Sequence, residues 1–208
     1  MRVQPERFVL SENPVKMLIL VSGNGSNLQA LIDAEKQGVF EGAGTITGVL
    51  SDRPCAYGLE RARLAGIPVY IELPAKSGTE PSLSDRILDL AVKNHVGLII
   101  LAGFLSLLRG DLIKVYAGKI INLHPSLLPK FGGKGMMGEA VHQAVLAAGE
   151  TESGCTVHLV DSGIDTGTIL IQRKVPVLPS DSSRSLADRI HHAEHIAIVE
   201  AAVMMIRR

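Results

Sequence analysis

Apolar residues fall along this chain in short continuous runs, and the segments between them repeat apolar positions every three or four residues. The runs at 16–22 (KMLILVS), 45–51, 67–73, 97–104 and 119–124 read as buried strands. The segments at 26–38, 55–66 and 82–94 read as helices; in the first, Leu28, Leu31 and Ile32 form the apolar stripe and Gly38 is the stop. Short apolar strands alternating with helices predict an α/β chain whose parallel sheet is covered on both faces.

After Phe131 the pattern changes. Residues 132–138 (GGKGMMG) predict a flexible, exposed loop, and 139–149 a helix. Two further runs, 154–161 and 168–177, are joined through S-G-I-D-T-G and predict antiparallel strands added to the sheet. An amphipathic helix from about 182 to 206 closes the chain. No internal repeat or interdomain linker interrupts the pattern. The expectation is one domain over 16–208, preceded by a loosely attached arm at 1–15.

Composition narrows the function classes. Of 208 residues, 46% are apolar and only 3% aromatic, so the core must be aliphatic. The formal net charge of zero argues against a general nucleic-acid binder. Two distant cysteines, Cys55 and Cys155, suit a reducing compartment better than a disulfide framework. The first residues are polar, with no secretory signal, and no apolar run approaches a membrane span. A cytoplasmic protein without a membrane partner is expected.

Three stretches carry candidate chemistry. S-G-N-G-S-N at 22–27 lies between the first strand and helix, where small residues and a helix N-terminus favour an anion. Asp52 at the end of the second strand invites a dinucleotide reading, but Leu28 stands where that fingerprint needs its third glycine. A monophosphate site fits better, and a tight turn with Ser26 as N-cap is the structural alternative. H-H-A-E-H at 191–195 contains a zinc-peptidase pattern, with His191 and His195 one helical turn apart. Only 13 residues follow, and Glu200 on the same helix is the sole acidic ligand among them, so a polar helix face is favoured and no metal is expected.

The third stretch is K-I-I-N-L-H-P-S-L-L-P-K-F at 119–131, taken with D-S-G-I-D-T-G at 161–167. Strand side chains alternate, so Asn122 and His124 share a face. Two glycines bracket Asp165 in a turn that can hold its carboxylate. His with Asp moves protons, and Asn offers a neutral donor to a developing oxyanion. Without a Ser or Cys nucleophile, the set suggests direct transfer to an external nucleophile. A capping Asn and a satisfied buried His are the structural alternative.

These stretches, with G-L-E-R-A-R-L-A-G-I-P-V at 58–69 and L-A-G-F-L-S-L-L at 101–108, resemble the glycinamide ribonucleotide formyltransferase family from about Met17 to the last helix. That resemblance implies a single formyltransferase-type domain, Rossmann-like and mostly parallel. It also implies formyl transfer from 10-formyltetrahydrofolate, a co-substrate, to the amine of glycinamide ribonucleotide in de novo purine (IMP) synthesis. Asn122, His124 and Asp165 match the family's catalytic residues. Gly25, Ser26 and Asn27 match its phosphate loop, and Glu194 the acidic residue at the glycinamide end. Leu105, Ser106, Leu107 and Leu108, with Asp161, Ser162, Gly163 and Ile164, match segments lining the folate pocket. Ser106 and Thr79 stand where many members carry arginine, and F-G-G-K-G-M-M-G replaces a shorter loop.

The nearest alternative is a formyltetrahydrofolate deformylase using the same Asn, His and Asp on water. Members of that family carry an extra N-terminal regulatory domain, which 15 leading residues cannot make. Initiator-tRNA formyltransferases would need a further C-terminal domain and a basic surface. A dinucleotide sensor would bind NADH and have no need of Asn122 or His124.

Overall fold

The computed structural model describes residues 13–74 and 81–208. Seven strands form one sheet: β1 (Val15–Val21), β2 (Gly44–Ser51), β3 (Val69–Ile71), β4 (Leu98–Leu101), β5 (Ile120–His124), β6 (Glu152–Leu159) and β7 (Ile169–Pro176). Their order is β3-β2-β1-β4-β5-β6-β7. The first five are parallel, and β6 and β7 add antiparallel at one edge. The mostly parallel α/β architecture with antiparallel C-terminal strands is therefore as the sequence predicts.

Alternation along the central strands builds two cores. Met17, Ile19 and Val21 of β1 and Leu98 and Ile100 of β4 pack on one face. There they meet α1 (Ser26–Lys36), α2 (Tyr57–Leu64), α5 (Glu139–Ala147) and α6 (Ser183–Ile206). Leu18 and Leu20 of β1 and Ile99 and Leu101 of β4 pack on the other face, beneath α3 (Leu83–Lys93) and α4 (Asp111–Val115). All of these strand residues are buried, which is why the parallel strands read as unbroken apolar runs. In β5, Ile121 and Leu123 join the first core and Ile120 the second, leaving Asn122 and His124 on the Ile120 face.

The differences from expectation are local. The predicted strand at 67–73 shortens to Val69–Ile71, and that at 97–104 to Leu98–Leu101; the chain then leaves the sheet as the loop 102–110. Helix α4 is absent from the periodicity reading because five residues present no repeating stripe. It starts after Gly110 at φ 71 and buries only Leu112 and Ile113. The proposed arm at 1–15 lies outside the described residues except for 13–15, and Val15 already belongs to β1. Thr79 also lies outside them. Both cysteines are free, Cys55 exposed and Cys155 buried. No helix among the described residues is long and apolar enough to cross a membrane.

Candidate active site

The parallel strands end on one side of the sheet, and the loops leaving them surround a cavity of about 510 Å³. At one end is the turn after β1. Gly25 is the N-cap of α1, in the left-handed region at φ 73, and no side chain caps the helix. Ser26 is thus the first helical residue rather than the cap. A Cβ on Gly25 would lie 2.7 Å from Gly58 Cα, so glycine is required both by backbone geometry and by the approach of α2.

Arg61 of α2 holds this turn. Its Nε donates to Asn24 O at 2.8 Å, Nη2 to Asn24 Oδ1 at 3.1 Å and Nη1 to Gln29 Oε1 at 3.2 Å. Asn27, on the first turn of α1, donates from Nδ2 to Glu194 Oε2 of α6 at 3.1 Å. Burial pushes the Glu194 carboxyl up, against the lowering influence of that N–H and of His191. Gly25, Ser26, Asn27 and Glu194 therefore meet at one end of the cavity. Asp52, the candidate ribose ligand of the dinucleotide reading, is buried and accepts from Ser106 Oγ at 2.6 Å.

Deeper in the cavity, β5 delivers Asn122 and His124, and the turn after β6 delivers Asp165. His124 Nε2 donates to Phe131 O at 2.8 Å, leaving Nδ1 3.5 Å from Asp165 Oδ2. Burial lowers the His124 imidazole below its ordinary value, outweighing the raising effects of the Phe131 carbonyl and Asp165. Burial alone would raise the Asp165 carboxyl. His158, the Gly133 N–H at 3.0 Å and the charge of His124 together hold it below the usual range. Asp165 sits at φ 58, a left-handed position that Asp tolerates better than most residues. The turn carrying it is tied by Asp161 Oδ1, which accepts from Gly163 N at 2.9 Å and Thr166 Oγ1 at 2.7 Å.

His158 belongs to this group and is missed by the sequence reading. It faces Asn122 directly across the antiparallel β5–β6 pair. His158 Nδ1–H donates to Leu159 O at 2.8 Å, so in a neutral ring Nε2 accepts from Asn122 Nδ2 at 3.1 Å. Nε2 also lies 3.5 Å from Asp165 Oδ1. Asn122 Nδ2 in turn donates to Asp165 Oδ1 at 3.4 Å. Two imidazoles, a carboxamide and a carboxylate are thereby tied into one network.

The proposed folate-lining segments form another wall. Leu105, Ser106, Leu107 and Leu108 all line the cavity, as do Asp161, Gly163 and Ile164; Ser162 lies on the same turn but not on the lining. Leu105 N donates to Ser22 Oγ at 2.8 Å, linking this wall to the turn after β1. The loop 132–138 is partly exposed, as expected, and Gly133, Lys134, Gly135, Met136, Met137 and Gly138 border the opening. Among the described residues, no three His, Cys, Asp or Glu side chains converge as a metal set. In H-H-A-E-H, Glu194 turns to Asn27.

The arrangement offers an anion cradle at one end, hydrogen-bond donors and a proton acceptor in the middle, and an apolar wall beside them. The formyl transferase family matches residues 15–202. A trifunctional purine biosynthetic protein adenosine-3 from Drosophila melanogaster is 42% identical over 199 residues, covering 95% of this chain and 14% of that protein. A chloroplastic phosphoribosylglycinamide formyltransferase from Vigna unguiculata is 41% identical over 89% of this chain, which spans 59% of the plant protein. A crystal structure of glycinamide ribonucleotide transformylase 1 from Symbiobacterium toebii superposes with a TM-score of 0.84 at 36% identity, covering 97% of this chain and 90% of that one. A formyltetrahydrofolate deformylase from Pseudomonas syringae shares the fold, with a TM-score of 0.84 at 20% identity over 94% of this chain and 62% of its own. With the family match covering β1 to α6, the chain belongs to the formyl transferase family.

Proposed function

We propose that this protein transfers the formyl group of 10-formyltetrahydrofolate to the amine of glycinamide ribonucleotide, giving the formylated ribonucleotide and tetrahydrofolate. The carrying observation is that one cavity joins Asn122, His124 and Asp165 to the Gly25–Asn27 turn and Glu194. The relatives' names, phosphoribosylglycinamide formyltransferase and glycinamide ribonucleotide transformylase, support the ribonucleotide as the formyl acceptor.

On this reading the phosphate lies at the N-terminus of α1, where backbone N–H groups and the helix dipole favour it. Glu194, hydrogen-bonded to Asn27 beside that turn, faces the ribose on this reading rather than the glycinamide end that the resemblance assigns it. The folate lies along Leu105–Leu108 and the 161–165 turn. The amine nitrogen attacks the formyl carbon, a C–N bond forms, and the carbonyl oxygen gains negative charge. The Asn122 N–H released from its long 3.4 Å contact with Asp165, and His124 Nδ1 when protonated, are the donors for that oxygen. The bond to the folate nitrogen then breaks, and the proton lost by the amine ends on that nitrogen. Asp165, an ionised acceptor touching both imidazoles, carries the proton between them. The balance needs no metal or redox partner. The free thiols suit the cytoplasm, and zero net charge suits small-molecule substrates rather than nucleic acid.

Water lacks the phosphate handle, and positioning of a bound nucleophile can be worth several kcal/mol. Formate and formylated ribonucleotide would be measured together, with and without glycinamide ribonucleotide. Slow donor turnover that rises sharply with the ribonucleotide, giving one formylated product per folate released, is expected. Rapid formate release that ignores the ribonucleotide would overturn the transferase reading in favour of the deformylase.

A further inference from the structure

His124 stands between two acceptors. A neutral imidazole carries a single N–H. The Phe131 carbonyl, 2.8 Å from Nε2, holds that proton on one nitrogen, while the Asp165 carboxylate, 3.5 Å from Nδ1, draws it towards the other. Formyl transfer as proposed above needs the first arrangement. Only then is Nδ1 free to take a proton and donate it to the developing oxyanion. The aim of the Phe131 carbonyl therefore bears on the chemistry.

Phe131 does not hold that aim alone. Its φ is 54, a left-handed conformation uncommon for a bulky residue, which persists only where the surroundings over-determine it. Fully buried Ser126 donates from Oγ to Lys130 O at 2.7 Å and lies 3.5 Å from Phe131 O, pinning the peptide from which Phe131 turns. Thr156, also fully buried, holds Ser126 in turn: its Oγ1 donates to Ser126 O at 2.6 Å. The same oxygen accepts from Leu128 N at 3.1 Å and from Gln172 Nε2 at 3.0 Å. A hydroxyl has one proton and two lone pairs, so Thr156 is saturated. Gln172 Nε2 also donates to Leu128 O at 2.8 Å. The register brings these groups together, because His124, Thr156 and Gln172 stand directly opposite one another on β5, β6 and β7.

We propose that Ser126, Thr156 and Gln172 are positioning residues for formyl transfer: they fix the 126–131 loop so that the Phe131 carbonyl keeps the His124 proton on Nε2 and leaves Nδ1 to the reaction centre. This role rests on the reading of His124 as a catalytic group. It extends the supports of that group to β7, at the edge of the sheet.

None of the three lines the cavity, so their hydrogen bonds serve the loop rather than a ligand. Satisfying Ser126 O and Leu128 N, which need partners once buried, would by itself account for Thr156. That bland role predicts a loss of stability with the His124 tautomer unchanged. The positioning role predicts a moved proton. Burial lowers the His124 imidazole, and the Phe131 carbonyl is the largest influence opposing it, so the same contact also keeps the charged ring within reach.

NMR of the intact protein carrying isotope-labelled histidine, at about pH 8 where the ring is neutral, reads the tautomer. His124→Gln identifies the signal. The unsubstituted protein should show the Nε2–H form. Ser126→Ala and Thr156→Val should populate the Nδ1–H form, and Gln172→Leu, on the edge strand, should do so to a smaller degree. Turnover of glycinamide ribonucleotide with 10-formyltetrahydrofolate should fall about tenfold in the first two and about threefold in the third, the scale of one neutral hydrogen bond, with KM for either substrate within about twofold. Thr156→Ser, which keeps the hydroxyl, should recover most of the loss. Thermal unfolding checks each variant, and if Thr156→Val does not fold, Ser126→Ala and Gln172→Leu decide. An unchanged tautomer in folded Ser126→Ala, or a loss confined to KM or to stability, would overturn the proposal while leaving His124 catalytic. Full turnover by His124→Gln would overturn both.

Discussion

Gly25→Ala isolates a backbone contact that side-chain substitutions cannot reach. At φ 73 an added Cβ costs roughly 1–2 kcal/mol through left-handed geometry. It would also stand 2.7 Å from Gly58 Cα and 3.4 Å from Gly58 N, backbone atoms with no rotamer by which to yield. Overpacking of that kind typically adds about 1–3 kcal/mol. Gly38→Ala is the matched control, because φ is 75 there and nothing lies within 4 Å of its Cβ. Urea unfolding should show a loss of about 1–2 kcal/mol for Gly38→Ala and about 2–5 kcal/mol for Gly25→Ala. For a chain of this size each kcal/mol lowers the melting temperature by about 2–4 °C. Glycinamide ribonucleotide should lose affinity for the Gly25 variant, while a folate analogue binds nearly as before. Equal destabilisation of the two variants would refute the close-approach argument.

Asn122→Ala, His124→Ala and Asp165→Ala should each lower turnover by about two orders of magnitude or more while retaining the fold, since β5 keeps its backbone pairing with β4 and β6 and the 161–166 turn its ties to Asp161. Near wild-type turnover in His124→Ala would contradict the mechanism. Acid should also weaken the fold before it protonates the carboxylates. His124, His142 and His195 all titrate lower in the folded chain than in the unfolded one, mainly through burial. The unfolded state therefore binds more protons, and stability present above about pH 6.5 is lost as pH falls towards the folded values. Glu194, raised by burial, runs the other way, so the comparison is made in a Glu194→Gln background that removes the opposing group. Urea midpoints should be clearly lower at pH 5.0 than at pH 7.0, and equal midpoints would contradict the assignment.

The sheet was legible because each buried parallel strand is a short apolar run flanked by helical periodicity. The meeting of Asn122, His124 and Asp165 was legible because strand alternation puts the first two on one face and flanking glycines put the third in a turn; the structure brings the three together. His158 was not. In G-C-T-V-H-L-V-D it reads as one polar residue of an alternating strand, and its role appears only when the antiparallel register sets it opposite Asn122. The tie between Ser106 and Asp52 joins loops 54 residues apart, so no local pattern announces it. Helix α4 escaped because its five residues depend on Leu112 and Ile113 packing into a core formed by distant strands.

The strand order also acts as a ruler. β1, which leads into the turn proposed for the phosphate, and β5, which carries Asn122, are separated by β4 alone. Adjacent strands lie about 4.8 Å apart, so the two stations are offset by roughly 10 Å across the sheet. Nine bonds separate the phosphorus of glycinamide ribonucleotide from its amine, which at about 1.2 Å of advance per bond gives a similar span. On the proposed reading, length selection is built into the rigid part of the molecule: a phosphorylated amine one or two atoms shorter would anchor correctly yet leave its nucleophile short of the formyl carbon. Loop changes can retune affinity, but altering the reach would require inserting or removing a strand.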